Sequence, residues 1–294
     1  MKDLIFYHRS DLDGKCSAAI AVDALKHQKQ SRGYELHGID YGDPFPWDKI
    51  EQDRVVYMLD FSLQPFSLML ELGEKCKLIW IDHHKSAIEE SNKAMPKGEQ
   101  LLEDGRAACE LTWQFFVGEP TPRAVSLLGR YDVWDESEKV FPWSEILGFQ
   151  YGMRMQDTEP ESKTWPVLFH YEGETLHILD QGKLIVRYEE QQNKIAIGAL
   201  GFEIEWEGLR AIVANRGLSN SRLFDSVWDE KKHDVMISFY WSKRGHWKVS
   251  LYSKKPDVDC SAICKRHGGG GHAGAAGFQC DELPFKLKQV SAKE

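Results

Sequence analysis

Three continuous apolar runs, each ended by a side chain able to hold a cation or move a proton, constrain this chain more than any other feature. Leu4-Ile5-Phe6-Tyr7 ends at His8, Val55-Val56-Tyr57-Met58-Leu59 at Asp60, and Leu78-Ile79-Trp80-Ile81 at Asp82. Short runs rich in β-branched and aromatic residues, without polar alternation, read as strands buried on both faces, the habit of a parallel sheet. A further strand is expected at 35–40. Helices are expected at 15–29 and at 65–72, the second with Pro65 in its first turn. Strands alternating with helices imply βαβ units, and in an open sheet of that kind ligands gather beyond the carboxyl ends of the strands. Three such endings point to one site.

Helical patterning continues from 107 to about 154. The polar stretch 174–194 lacks Pro, is rich in Glu, Gln, Lys and Leu, and reads as a helical connector. A second α/β unit begins near 195, with strands expected at 209–214, 234–241 and 247–252 and helices at 222–229 and 258–267. The fold class is therefore α/β: an N-terminal domain with a largely parallel sheet flanked by helices (1–173), a helical connector (174–194) and a smaller C-terminal α/β domain (195–294).

Composition narrows the partners. At 294 residues, 42% hydrophobic and 28% charged, the profile is that of a folded soluble chain. No run of about 18 apolar residues is present to span a membrane, and the apolar run at the N-terminus is too short for a signal peptide. A cytoplasmic protein with its six cysteines reduced is expected. Proteins that track long nucleic acid offer a basic surface. The net charge of −9 fits better with a small anion held in a local metal pocket, although a local basic patch is compatible with an acidic total.

The residues around the strand ends carry chemistry in themselves. In Asp11-Leu12-Asp13-Gly14, two carboxylates two residues apart can face one cation, while the following helix offers free N–H groups to phosphate; a plain N-cap is the competing reading. A carboxylate at Asp60, after five apolar residues, needs a positive partner, unless it only caps a neighbouring turn. In Asp82-His83-His84, one imidazole can reach a metal while the next faces substrate, and the adjacent carboxylate can fix a ring tautomer; two surface histidines are the alternative. Trp80 and Trp113 read as core, and Trp134, Trp241 and Trp247 as candidate stacking platforms. Cys260, Cys264, His267 and His272 could form a structural zinc site, at a spacing unusual for one.

Taken together, these motifs resemble the DHH phosphoesterase family, which is named after the Asp82-His83-His84 triplet. Asp11-Leu12-Asp13-Gly14 is similar to its first motif, Asp60 to its second, and Leu127-Leu128-Gly129-Arg130-Tyr131-Asp132 to its fourth. Gly269-Gly270-Gly271-His272-Ala273-Gly274-Ala275-Ala276-Gly277 resembles the signature of the DHH-associated substrate-binding domain, in the nanoRNase and bisphosphate-nucleotidase branch. One departure is the spacing from His8 to Asp11, a residue shorter than in many members. Either His8 reaches the metal through a tighter loop or water takes its place.

The resemblance implies two divalent ions, manganese first, with magnesium or cobalt as alternatives. One ion would take His8, Asp11 and Asp60, and the other Asp13, Asp60, His83 and Asp132, with Asp60 shared. Asp82 and His84 would be catalytic, His84 contacting the phosphate or protonating the leaving oxygen. Substrate would be held by Arg106, by Asn215 and Arg216, and by Gly269, Gly270, Gly271 and His272, the glycine run aiming several N–H groups at one phosphate. The implied activity is hydrolysis of a phosphate ester in a short oligonucleotide, a 3′,5′-bisphosphate nucleotide or a dinucleotide by metal-activated hydroxide, with a homodimer left open. The alternatives are a single-strand-specific 5′–3′ exonuclease and a non-catalytic nucleotide sensor.

Overall fold

The computed structural model describes residues 2–28 and 32–286; Lys29, at the end of the first expected helix, and the tail 287–294 lie outside them. Two compact units divide the chain, Met1–Val186 and Arg187–Glu294.

In the first unit, β1 (Asp3–His8), β2 (Tyr34–Ile39), β3 (Val55–Leu59), β4 (Lys77–Asp82) and β5 (Glu99–Leu102) form one sheet in the order β2-β1-β3-β4-β5. Every neighbouring pair is parallel. The apolar runs are unbroken because helices cover both faces. Leu4, Phe6, Val56, Met58, Leu78 and Trp80 pack against Met69 and Leu72 of α2 (Ser67–Lys75) and Ala87 of α3 (Lys85–Lys93). Their neighbours Ile5, Tyr7, Tyr57, Leu59 and Ile81 turn to the other face. There they meet Ala18, Ala21, Val22 and Leu25 of α1 (Leu12–His27) and Leu111 of α4 (Ala108–Phe116). Each fully buried Leu, Ile or Phe contributes about 1.5–3 kcal/mol, so a one-residue slip in register would be costly. That pins the strand ends on which the site is built.

A second core lies among helices, where α1 and α4 meet α5 (Arg123–Asp132), α6 (Trp143–Met153), α7 (Thr164–His170) and the first turns of α8 (Glu172–Leu200). Helix α8 takes in all of 174–194, and the division between the units falls inside it. Gly182 lets α8 cross α6 closely, since a Cβ there would fall 1.7 Å from the Gly148 carbonyl oxygen.

In the second unit, β6 (Gly201–Trp206), β7 (Leu209–Asn215), β8 (Val235–Trp241), β9 (Trp247–Tyr252), β10 (Gly270–His272) and β11 (Ala275–Cys280) form a sheet ordered β10-β11-β9-β8-β7-β6. Only β7 and β8 run parallel. Helix α9 (Cys260–Arg266) packs Cys260, Ile263 and Cys264 into the core on one face of it.

Four local expectations change. Pro65 precedes α2 instead of sitting in its first turn, because Leu68 N–H donates to the Pro65 carbonyl (2.9 Å) and closes a tighter turn first. No α-helix forms over 222–229. Ser221–Phe224 is a short 3₁₀ turn capped by the Asn220 side chain, since burying Leu223 and Phe224 fixes a segment too short to propagate a helix. Strands β5 and β6 fall where no element was expected. The zinc reading fails: among the described residues Cys260, Cys264, His267 and His272 do not gather into a group that could hold an ion, and His267 stacks on Phe278 (4.7 Å) and pairs with Glu207 (2.7 Å). Among the described residues, no helix is long and apolar enough to cross a membrane.

Candidate metal centre

Because β3 lies between β1 and β4, the residue that follows it stands between their ends. That residue is Asp60, held at φ 55° and locked by its N–H to the Ile81 carbonyl (2.9 Å). Aspartate is among the few non-glycine residues that accept this left-handed backbone. Its two oxygens face different neighbours. Oδ2 lies 3.7 Å from His8 Nδ1 at the end of β1, and Oδ1 lies 3.3 Å from His83 Nε2 just beyond β4.

Helix α1 starts beside this point. Asp11 Oδ1 accepts from Gly14 N–H (2.9 Å), so the N-cap reading is correct, yet Asp11 Oδ2 lies 2.6 Å from His8 Nδ1. One carboxylate does both. A Cβ at Gly14 would fall 2.1 Å from the His8 carbonyl oxygen, so only glycine lets α1 begin so close to β1. Asp13 is fully enclosed and accepts from Ala108 N–H (2.9 Å) and Cys109 N–H (2.7 Å) at the N-terminus of α4, where the helix dipole favours negative charge. Asp132, the last residue of α5, brings Oδ2 to 3.2 Å from His83 Nε2, and Asp13 Oδ2 lies 3.6 Å from the same nitrogen.

These separations suit cations. Donor atoms about an octahedral ion with bonds of about 2.1 Å sit roughly 3–4.2 Å apart, and the donor atoms of Asp13, His83 and Asp132, like those of His8, Asp11 and Asp60, all lie within 4.8 Å of one another. Asp60 Oδ1 is buried without a hydrogen-bond partner, a condition that calls for a positive charge. Carboxylate oxygens with some imidazole nitrogen match manganese or magnesium.

The charges record the same crowding. Burial, then the carboxylates of neighbouring Asp60 and Asp132, raises Asp13 above the ordinary aspartate range, and burial chiefly raises Asp60. Hydrogen bonding to Asp11 and Asp60 pushes the His8 imidazole up to about 10. Burial pulls His83 down, but Asp132 and Asp60 outweigh it and push it up to about 11. Without cations, protons on the two histidines offset part of the carboxylate charge.

Asp82 is buried and directs His84. Its Oδ1 lies 2.7 Å from His84 Nδ1 and accepts from the backbone N–H groups of His83 (2.8 Å) and His84 (3.1 Å). Trp80 Nε1 donates to Oδ2 (3.3 Å). The ring of His84 is thereby fixed through Nδ1.

No protein-family model matches the chain. The uncharacterized protein R106 of Acanthamoeba polyphaga mimivirus is 26% identical over 94% of this chain and 67% of its own length. Two solved structures share the architecture. The pGpG-specific phosphodiesterase PggH from Vibrio cholerae aligns with a TM-score of 0.52 at 12% identity, covering 95% of this chain and 93% of that one. Exonuclease RecJ bound to manganese aligns with a TM-score of 0.50 at 16% identity, covering 95% and 86%. The chain shares the fold of these two structures.

Several neighbours of the cluster carry no signal in the motifs. Tyr41, two residues beyond β2, packs at a tilt on Phe61 (4.6 Å) and meets His8 edge-on (5.9 Å). The strand-end rule applied to the expected strand 35–40 picks out Asp40, one residue short of it. Arg130 binds the buried Glu110 (2.9 Å) and Asp135 (3.5 Å), tying the end of α5, with Asp132, to α4. No local motif announces that pair.

Arg106 donates to Gln114 and lies 3.8 Å from Glu103 and 3.7 Å from Glu119. In the second unit, Asn215 ends β7, and Arg216 N–H closes a turn onto Ala214. Two N–H groups of the glycine run are engaged within the chain. Gly268 and Gly269 donate to the Lys265 and Cys264 carbonyls and finish α9, while Gly270, Gly271 and His272 pair with β11. Gly268 and Gly269 do line a groove of about 400 Å³ with Lys248, Ser250 and Gln279.

Proposed function

We propose that the chain is a divalent-metal-dependent phosphoesterase, acting on short oligonucleotides or small nucleotides with manganese as the working ion. The observation that carries this reading is the shared Asp60: one buried carboxylate whose two oxygens face separate groups of donors, one of them without a hydrogen bond. The names of the fold neighbours, a pGpG-specific phosphodiesterase and a manganese-bound exonuclease, are in keeping with it. The net charge of −9 favours small substrates over long strands.

His8, Asp11 and Asp60 would hold one ion, and Asp13, Asp60, His83 and Asp132 the other. When bound, the ions lower the pKa of water and set positive charge against the phosphoryl oxygens. The α4 N-terminus holds Asp13 in place, and the φ 55° turn holds Asp60. With Nδ1 of His84 committed to Asp82, Nε2 is left to donate to the leaving oxygen. Burial lowers His84, but the Asp82 bond outweighs it and raises the imidazole.

The test is a hydrolysis panel with manganese: a dinucleotide, a 3′,5′-bisphosphate nucleotide, cyclic dinucleotides, pyrophosphate and long single-stranded DNA. Mononucleotide release from the dinucleotide is expected with manganese and not in excess chelator, and His83→Ala should abolish it. Activity that survives chelation or His83→Ala would refute the metal mechanism.

A further inference from the structure

We infer that two aromatic shelves flank the metal centre, Tyr41 beside His8 and Trp134 beside Asp132, and that they stack the two nucleobases of a dinucleotide on either side of its scissile phosphate. This rests on the phosphoesterase reading and names its substrate class.

The two rings belong to different flanks. Tyr41 touches His8, which Asp60 Oδ2 faces; Trp134 follows Asp132, which shares His83 with Asp60 Oδ1. Two residues of chain span at most roughly 7 Å, so Trp134 lies within a nucleoside's reach of Asp132. Both rings are open to a ligand, Tyr41 being 51% exposed and Trp134 45%.

Each shelf is braced from behind. Tyr41 lies on Phe61, and its loop is tied down by Arg9, which bonds Asp40 (2.8 Å) and Asp43 (2.9 Å). Trp134 meets Trp143 edge-on (5.0 Å) and Tyr131 (5.5 Å), themselves parallel to within 3°. Its backbone is held at φ 53°, a conformation that a bulky side chain adopts at a cost and that a packed surround must enforce. Solvent-open aromatic rings fixed in place next to a phosphate-binding centre are what bases stack upon, largely irrespective of sequence. A phosphodiester between two nucleosides has one base on each side. A 3′,5′-bisphosphate has a single base and pyrophosphate none, and neither would use both shelves.

The experiment compares manganese-dependent hydrolysis of diadenylate with that of a tetrahydrofuran analogue lacking both bases. The full-length wild type is set beside Trp134→Leu, Tyr41→Leu, Trp134→Phe and Tyr41→Phe. The wild type should prefer diadenylate in kcat/KM by about a hundredfold, about tenfold for each stacked base. Each Leu variant should raise the KM for diadenylate about tenfold relative to that for the analogue, with the Phe variants recovering most of the loss. Equal handling of both substrates by the wild type, or Leu variants that affect both alike, would overturn the shelves while the phosphoesterase reading stands. Hydrolysis of neither substrate would overturn both.

Discussion

Replacing Asp60 by Asn separates the two things this carboxylate does. The residue is 1% exposed and its Oδ1 has no hydrogen-bond partner. Its folded pKa is raised by burial above the unfolded value, so its charge costs stability at any pH above both. Asparagine keeps the volume and tolerates φ 55°; alanine would add about 1 kcal/mol of backbone strain and blur the result. In chelator, Asp60→Asn should therefore be more stable than wild type by on the order of 1–2 kcal/mol, or roughly 2–8 °C in Tm. Manganese at a hundred times its Kd should stabilise the wild type by about 2.7 kcal/mol, roughly 5–11 °C. The variant, lacking the shared ligand, should gain less than about 2 °C and hydrolyse nothing. Differential scanning calorimetry with and without manganese reads both effects. A variant that melts below wild type in chelator, or responds equally to manganese, would show that Asp60 is not a charge awaiting cations.

Gly14→Ala should destabilise the metal-free protein by about 2 kcal/mol or more, because the added Cβ meets the His8 carbonyl oxygen and α1 must shift; denaturant midpoints near those of wild type would contradict the close approach. His8 and His83 have folded pKa values of about 10 and 11. Their contribution is fully present below the unfolded value near 6.5 and is lost as pH rises through those values. The metal-free Tm should fall from about pH 7 to about pH 10, and manganese binding near neutral pH should release protons, seen by calorimetry as a heat that varies with buffer; a heat independent of buffer would exclude it. Asp234 is bonded by Arg210 (3.0 Å) and Lys255 (2.6 Å), which hold its carboxyl well below the usual range. Its contribution is present above about pH 4 and lost as pH falls below that. Asp234→Asn should therefore cost about 1 kcal/mol at neutral pH and distinctly less near pH 2, and an equal cost at both would rule the pairing out.

Much of the centre was legible before any coordinates. The apolar runs that end at His8, Asp60 and Asp82 become strands β1, β3 and β4 because burial on both faces is a local property of composition and the two-residue period. The turn at 11–14 could be read because glycine there serves a local constraint. Tertiary structure alone decided that β3 pairs between β1 and β4, which makes Asp60 the carboxylate facing both groups of donors. It alone brought the N-terminus of α4 onto Asp13, the end of α5 onto His83, and Tyr41 onto His8. It also engaged Gly268 and Gly269 in finishing α9, where the motif had suggested free N–H groups. Strand order and helix docking follow from which surfaces bury one another across the whole unit, and no spacing along the chain records that.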